Sequence, residues 1–134
     1  MTKMLEGGCL CGRVRFTLKG PPLRATHCHC RMCQLAAGAP LVTWAIVRQA
    51  DLSWPLSEPR LYPSSDFAER GFCPECGTAL TFRYLNKKNE IDIAAICFDD
   101  PGIVEPLDHI WTKTRPEWIR LADGLPEHEG KRDG

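Results

Sequence analysis

Seven of the eight cysteines in this chain fall into three tight clusters, and no other feature limits the fold as strongly. Cys9 and Cys11 form C-x-C within GGCLCG. Cys28, Cys30 and Cys33 form C-x-C-x-x-C within HCHCRMC. Cys73 and Cys76 form C-x-x-C within FCPECGT, and Cys97 stands alone. Short-spaced cysteine pairs on turns each supply two ligands to a tetrahedral zinc ion. Disulfides are the competing use of such residues. The N-terminal MTKMLEGG lacks the long apolar core of a secretory signal, and no apolar run has the length of a spanning helix. The expected location is therefore cytoplasmic. A reducing compartment disfavours disulfides and directs clustered cysteines to metal or redox chemistry.

The CPECGT stretch has the chemistry of a zinc knuckle. Pro74 stiffens the turn, and Gly77 lets the backbone fold under an ion with amides free to bond the thiolates. Gly7, Gly8 and Gly12 surround Cys9 and Cys11 in the same manner. Together these two pairs complete a four-cysteine site, which leaves no ligand position for substrate and is expected to be structural. The middle cluster offers three thiols, one short of a closed site, which is what a catalytic zinc keeps. Cys30 and Cys33 stand where a helix would begin, and a helix N-terminus favours thiolate. Arg31 between them would offset negative charge. Two further possibilities stay open: His27 or His29 fills the fourth position, or the three thiols form a metal-free redox triad. Spacing alone also leaves other pairings of the three clusters open.

The rest of the chain reads as short strands. Glycine and proline, 11 each, interrupt it often. Val14, Phe16 and Leu18 alternate with polar residues; so do Leu80, Phe82 and Tyr84, and Ile91, Ile93, Ala95 and Cys97. Leu41 to Val47 reads as a buried strand. The pattern predicts a mainly β fold of antiparallel sheets with one or two short helices. One helix is predicted from Arg31 to Ala37, stopped by Gly38. A second is predicted from Pro116 to Ala122, after Thr114 or Arg115 and before Gly124. The length of 134 residues fits one domain, 1–134, with 126–134 as a loose tail. The 17 basic and 17 acidic side chains give a net charge of +0, so nothing electrostatic draws the chain to nucleic acid or to an anionic membrane.

Three motifs in order, GGCLCGRVRF, HCHCRMCQLAAGAP and ERGFCPECGTAL, resemble the glutathione-dependent formaldehyde-activating enzyme family. The later stretch HIWTKTRPEWIRLADGLP resembles that family's C-terminal signature, so the likeness runs from about Gly7 to Pro126. It implies a complex β fold of the β-tent type, its sheets joined by zinc knuckles. It implies a structural zinc on Cys9, Cys11, Cys73 and Cys76, and a catalytic-type zinc on Cys28, Cys30 and Cys33, hence two zinc ions per chain. It implies a carbon–sulfur lyase that joins or releases glutathione and formaldehyde. Cys97, in AAICFDDP, departs from the family pattern and is expected to be a buried, inert thiol.

For such a reaction His27 and His29 are the candidates by sequence for moving a proton, or alternatively for orienting the cysteine loop. Arg31 and Arg70 are candidates for clamping a glutathione carboxylate. Ser64 and Ser65 could donate hydrogen bonds. Trp44, Trp111 and Trp118 could wall a pocket, and Trp54 could cap a sheet edge. The competing function is a non-catalytic zinc module that binds protein or nucleic acid.

Overall fold

The computed structural model describes residues 3–132. The strands follow in chain order: β1 (Met4–Gly8), β2 (Arg15–Lys19), β3 (Arg24–Cys28), β4 (Val42–Arg48), β5 (Leu52–Ser53), β6 (Arg60–Ser65), β7 (Ala68–Phe72), β8 (Ala79–Tyr84), β9 (Glu90–Ala94) and β10 (His109–Ile110). Among the described residues the one α-helix, α1 (Arg31–Ala37), lies between β3 and β4. A three-stranded antiparallel sheet has the order β1-β2-β5. A seven-stranded sheet has the order β10-β3-β4-β9-β8-β7-β6, antiparallel throughout except for the parallel pair β10–β3. The fold is mainly β, as the alternating apolar pattern predicts.

Apolar residues from both sheets fill one core. Phe16, Leu18, Leu80 and Ile93 are fully buried within it. Phe16 meets Phe98 and Trp54 edge to face at 5.1 and 5.9 Å, a favoured aromatic geometry. Gly7 passes so close to this core that a Cβ there would strike the Phe16 ring and the Cys97 carbonyl oxygen. Trp54, just past the edge strand β5, packs partly buried against this core.

The helix boundaries over Arg31–Ala37 match the sequence. Cys30 is the N-cap, with extended backbone, and its sulfur accepts from the Cys33 amide at 3.3 Å. Gly38 ends the helix in the left-handed region at φ 64°, and its amide returns to the Gln34 carbonyl.

Three expectations are corrected. The predicted helix from Pro116 to Ala122 is only a turn, closed by the Ile119 amide on the Pro116 carbonyl at 3.0 Å. Trp118 is 74% exposed and Leu121 40%, so no apolar face is available to hold so short a helix. The period-2 run ends at Ala94, and Ala95–Cys97 turn into a single 3-10 turn. The segment from 126, expected to be loose, is docked along β10 through residue 132. His109 and Trp111 amides donate to the carbonyls of Pro126 and Gly130 at 2.9 Å each, and the His128 amide donates to the His109 carbonyl at 2.8 Å. Arg132 adds a two-pronged ion pair to the buried Asp108 carboxylate. Residues 133–134 lie outside the described residues.

Candidate metal centres

Two turns of matching build bring the first four cysteines together. In one, the Val14 amide donates to Cys9 Sγ at 3.3 Å, and the Gly12 amide closes on the Cys9 carbonyl at 3.2 Å. In the other, the Cys76 amide donates to Cys73 Sγ at 3.5 Å, and the Gly77 amide closes on the Cys73 carbonyl at 2.8 Å. Gly12 and Gly77 both have φ +81°, which side chains rarely allow. Thr78 ties the turns to each other: its hydroxyl accepts from the Leu10 amide at 3.1 Å and lies 3.2 Å from Cys76 Sγ.

The four sulfurs of Cys9, Cys11, Cys73 and Cys76 lie within 4.8 Å of one another. Cys9 and Cys11 sulfurs are 3.6 Å apart, and Cys11 and Cys73 sulfurs 3.7 Å. A tetrahedron of thiolates around zinc has edges of about 3.8 Å, so the donor set fits that ion. All eight cysteines are free thiols. Hydrogen bonds from the Thr78 hydroxyl and amide bring the Cys76 thiol down to about 5. This pre-forms thiolate where a cation would bind.

The second cluster, Cys28, Cys30 and Cys33, also has its sulfurs within 4.8 Å, with Cys28 and Cys33 at 3.6 Å. Cys28 comes from the end of β3, and the other two from the start of α1. Bonds with Cys28 and Cys30 hold the Cys33 thiol far below its ordinary range, against burial, with Trp44 and Arg70 assisting. The Cys28 thiol is pushed up by its bonds with Cys30 and Cys33 and by burial. A cation held here would have only these three cysteine ligands within the cluster.

Strand register shows what faces this cluster. Residues paired across a sheet share a face, and faces alternate along each strand. Cys28, Arg24, Trp44, Ile46, Asp92, Phe82, Tyr84 and Arg70 thus fall on one face. Arg70 Nη2 donates to Cys33 Sγ at 3.6 Å, and its guanidinium lies 4.7 Å over the Phe82 ring. Trp44 is buried on the same face.

His27 lies on the opposite face from Cys28. Its ring stacks on His109 at 4.6 Å, and its Nδ1 bonds the Thr43 hydroxyl at 2.7 Å. His29 is fully buried, and its Nε2 meets His109 Nδ1 at 2.9 Å; His109 Nε2 in turn meets the Asp123 carboxylate at 2.8 Å. Burial and the neighbouring His109 bring His29 down to about 4, and burial lowers His27 as well. Neither histidine bonds a cysteine sulfur, and the placement suits orienting the loop. The His29 carbonyl supports this, accepting from Thr114 Oγ1 at 2.6 Å and Gln34 Nε2 at 3.0 Å.

The other expected site residues separate. Arg31 is exposed and turns to Gln34 Oε1 at 3.3 Å. The Ser64 hydroxyl donates to the Ala68 carbonyl, and the Ser65 hydroxyl accepts from the Phe67 amide, both within the β6–β7 hairpin. Trp111 packs partly buried against the core, and Trp118 is exposed. Cys97 is buried, and burial raises its thiol to about 11, so it stays protonated. His109 and Asp123 lie within the HIWTKTRPEWIRLADGLP stretch but at no spacing that ties them to the cysteines, and Asp92 carries no sequence signal.

A β protein with one closed and one incomplete cysteine cluster is the class that fold and sites define. The model for glutathione-dependent formaldehyde-activating enzymes matches residues 4–114, and the chain belongs to that family. It is 34% identical over 93 residues to an uncharacterized lyase of Schizosaccharomyces pombe, covering 69% of this chain and 67% of that one. It is 26% identical over 129 residues to a putative glutathione-dependent formaldehyde-activating enzyme of Halomonas elongata, covering 88% and 81%. A crystal structure of a Rhodobacter sphaeroides protein has the same fold, with a TM-score of 0.56 at 19% identity over 92% of this chain and 98% of the other. Among the described residues no helix is long and apolar enough to cross a membrane.

Proposed function

We propose that the chain is a zinc-dependent carbon–sulfur lyase acting on the adduct of glutathione, or a similar thiol, with formaldehyde or a related small aldehyde. The observation that carries this reading is the contrast between the two clusters. Four cysteines close one site; three leave the other short of a ligand, on a sheet face with Arg70 against Cys33. Cys28, Cys30 and Cys33 would hold zinc, which when bound supplies Lewis acidity and favours thiolate over thiol.

The residues around this cluster have definable tasks. The Arg70 guanidinium, steadied over Phe82, places positive charge beside sulfur, where a substrate thiolate needs it. Trp44 and Phe82 exclude water from the cluster's side of the sheet. The His29–His109–Asp123 chain and Gln34 brace the loop that carries Cys28 and Cys30 from the other side. In the net reaction the thiol sulfur forms a bond to the aldehyde carbon, and the thiol proton ends on the aldehyde oxygen; the reverse breaks that bond. The reading fits a cytoplasmic setting, where thiols stay reduced.

The test is exchange between free glutathione and S-hydroxymethylglutathione, followed by magnetisation transfer in the presence of formaldehyde. The zinc-replete protein is expected to accelerate exchange, and Cys33→Ser to abolish the acceleration while keeping the fold. Absence of acceleration by the zinc-replete wild type, or full activity in Cys33→Ser, would overturn the reading.

A further inference from the structure

One in-register row crosses the face that carries the three-cysteine cluster: Arg24 on β3, Ile46 on β4, Asp92 on β9, Phe82 on β8 and Arg70 on β7. Phe82 is its floor. Arg70 lies over that ring on one side, and Tyr84 meets it edge-on at 4.8 Å. Asp92 flanks Phe82 on the other side. It is the one charged member of the row with no hydrogen bond or ion pair among the described residues. Every cation near it is engaged elsewhere. Arg24 pairs with Glu90 at 3.3 Å, and the Lys87 ammonium sits 5.4 Å over the Tyr84 ring.

We propose that Asp92 is a substrate-binding residue that receives the free ammonium group of the thiol substrate, with Phe82 beneath the chain of the ligand and Arg70 at its sulfur end. This rests on the lyase reading above. Two features support it. Asp92 is half-buried, and a carboxylate partly withdrawn from water without a partner is stabilised by a ligand that supplies one. Burial raises Asp92 to about 7; Glu90 and Cys33 add to that and Arg24 and Lys87 oppose it, while Tyr84 faces it as a neutral phenol. A bound ammonium would return the group to its ionised form. The span also fits. Asp92 and Arg70 stand on strands separated by one strand, so their backbones are about 10 Å apart. An extended γ-glutamyl-cysteinyl unit has a reach of about 10 Å from amino group to sulfur.

The test compares glutathione with N-acetylglutathione, which keeps the thiol and carboxylates but lacks the ammonium. With wild type, N-acetylglutathione is expected to show a KM about tenfold above that of glutathione, the loss of one charged contact. Asp92→Asn is expected to raise the glutathione KM to that level, with kcat retained, and to leave N-acetylglutathione unaffected. Equal KM for the two thiols in wild type overturns the proposal, and that arm needs no variant. So does an Asp92→Asn enzyme that loses kcat at unchanged KM with a displaced pH profile, because Asp92 then moves protons. If neither thiol reacts with wild type, the lyase reading fails separately. Calorimetric binding of S-methylglutathione then decides: weaker binding to Asp92→Asn than to wild type supports the subsite, and equal binding overturns it.

Discussion

Replacing Cys73 by serine should cost this chain a large part of its stability. Cys73 is fully buried, and its sulfur lies 3.7 Å from that of Cys11, 62 residues away in sequence. A metal clip between the two turns therefore closes a long loop in the unfolded chain. Treated as a cross-link, a loop of 62 residues removes entropy equivalent to about 4 kcal/mol. A domain of this type has about 5–15 kcal/mol in total. For 134 residues the unfolding entropy is about 0.3 kcal/mol/K, so the loss corresponds to about 15 °C in Tm. Serine keeps the size of the side chain, so cavity formation adds little. The assay is thermal unfolding by far-UV circular dichroism beside zinc content by mass spectrometry. Cys97→Ser serves as the comparison, since that thiol belongs to neither cluster. A Cys73→Ser protein that is metal-free at the closed site and melts within about 2 °C of wild type would refute the argument.

Other outcomes follow from the same geometry. Cys33→Ser should lose turnover and one zinc while its Tm falls far less than that of Cys73→Ser; an equal fall in both would show that the clusters do not differ in role. Gly7→Ala should lose about 1–3 kcal/mol in urea unfolding, because the new methyl meets the Phe16 ring and the Cys97 carbonyl; an unchanged midpoint would contradict the packing. Asp108→Asn should cost about 2 kcal/mol through its lost charged bonds to Arg132 and Thr26. Burial opposes ionisation of Asp108, but the bonds from Arg132 and Thr26 outweigh it and hold the carboxyl below its ordinary value. A depressed native value stabilises above the unfolded value of about 4 and is lost as pH falls below it. Urea unfolding of wild type and Asp108→Asn should therefore converge as the pH drops from neutrality through that range, and a gap that persists at acid pH would contradict the pairing.

The fold was legible wherever a side chain had only local obligations. Phe16 and Leu18, Leu80 and Phe82, and Ile91 and Ile93 alternate because each strand has one face in the core. Gly12, Gly77 and Gly38 mark turns that need positive φ, and all three sit where the sequence places a stop or a knuckle. The cysteine pairs are equally plain, since ligand spacing is a local property. What escaped depends on pairing between distant segments. Arg70 stands three residues before Cys73 in sequence yet bonds Cys33, because β7 carries it onto the other cluster's face. His27 adjoins Cys28 but faces away from it, a consequence of strand alternation. Asp92 reads as the solvent side of an alternating strand, and only the sheet order brings it beside Phe82. The segment after Thr114 has helix signals at both ends, but with Trp118 exposed it has nothing to pack against.

The central claim is that one cysteine cluster holds the fold and the other holds the chemistry. Stepwise chelation of the purified protein, counting zinc released while following far-UV circular dichroism, tests it most directly. The account predicts two zinc ions per chain, the first leaving with loss of activity and the fold intact, the second leaving only as the fold is lost. Release of both ions from a chain that stays folded, or unfolding with the first, would contradict it.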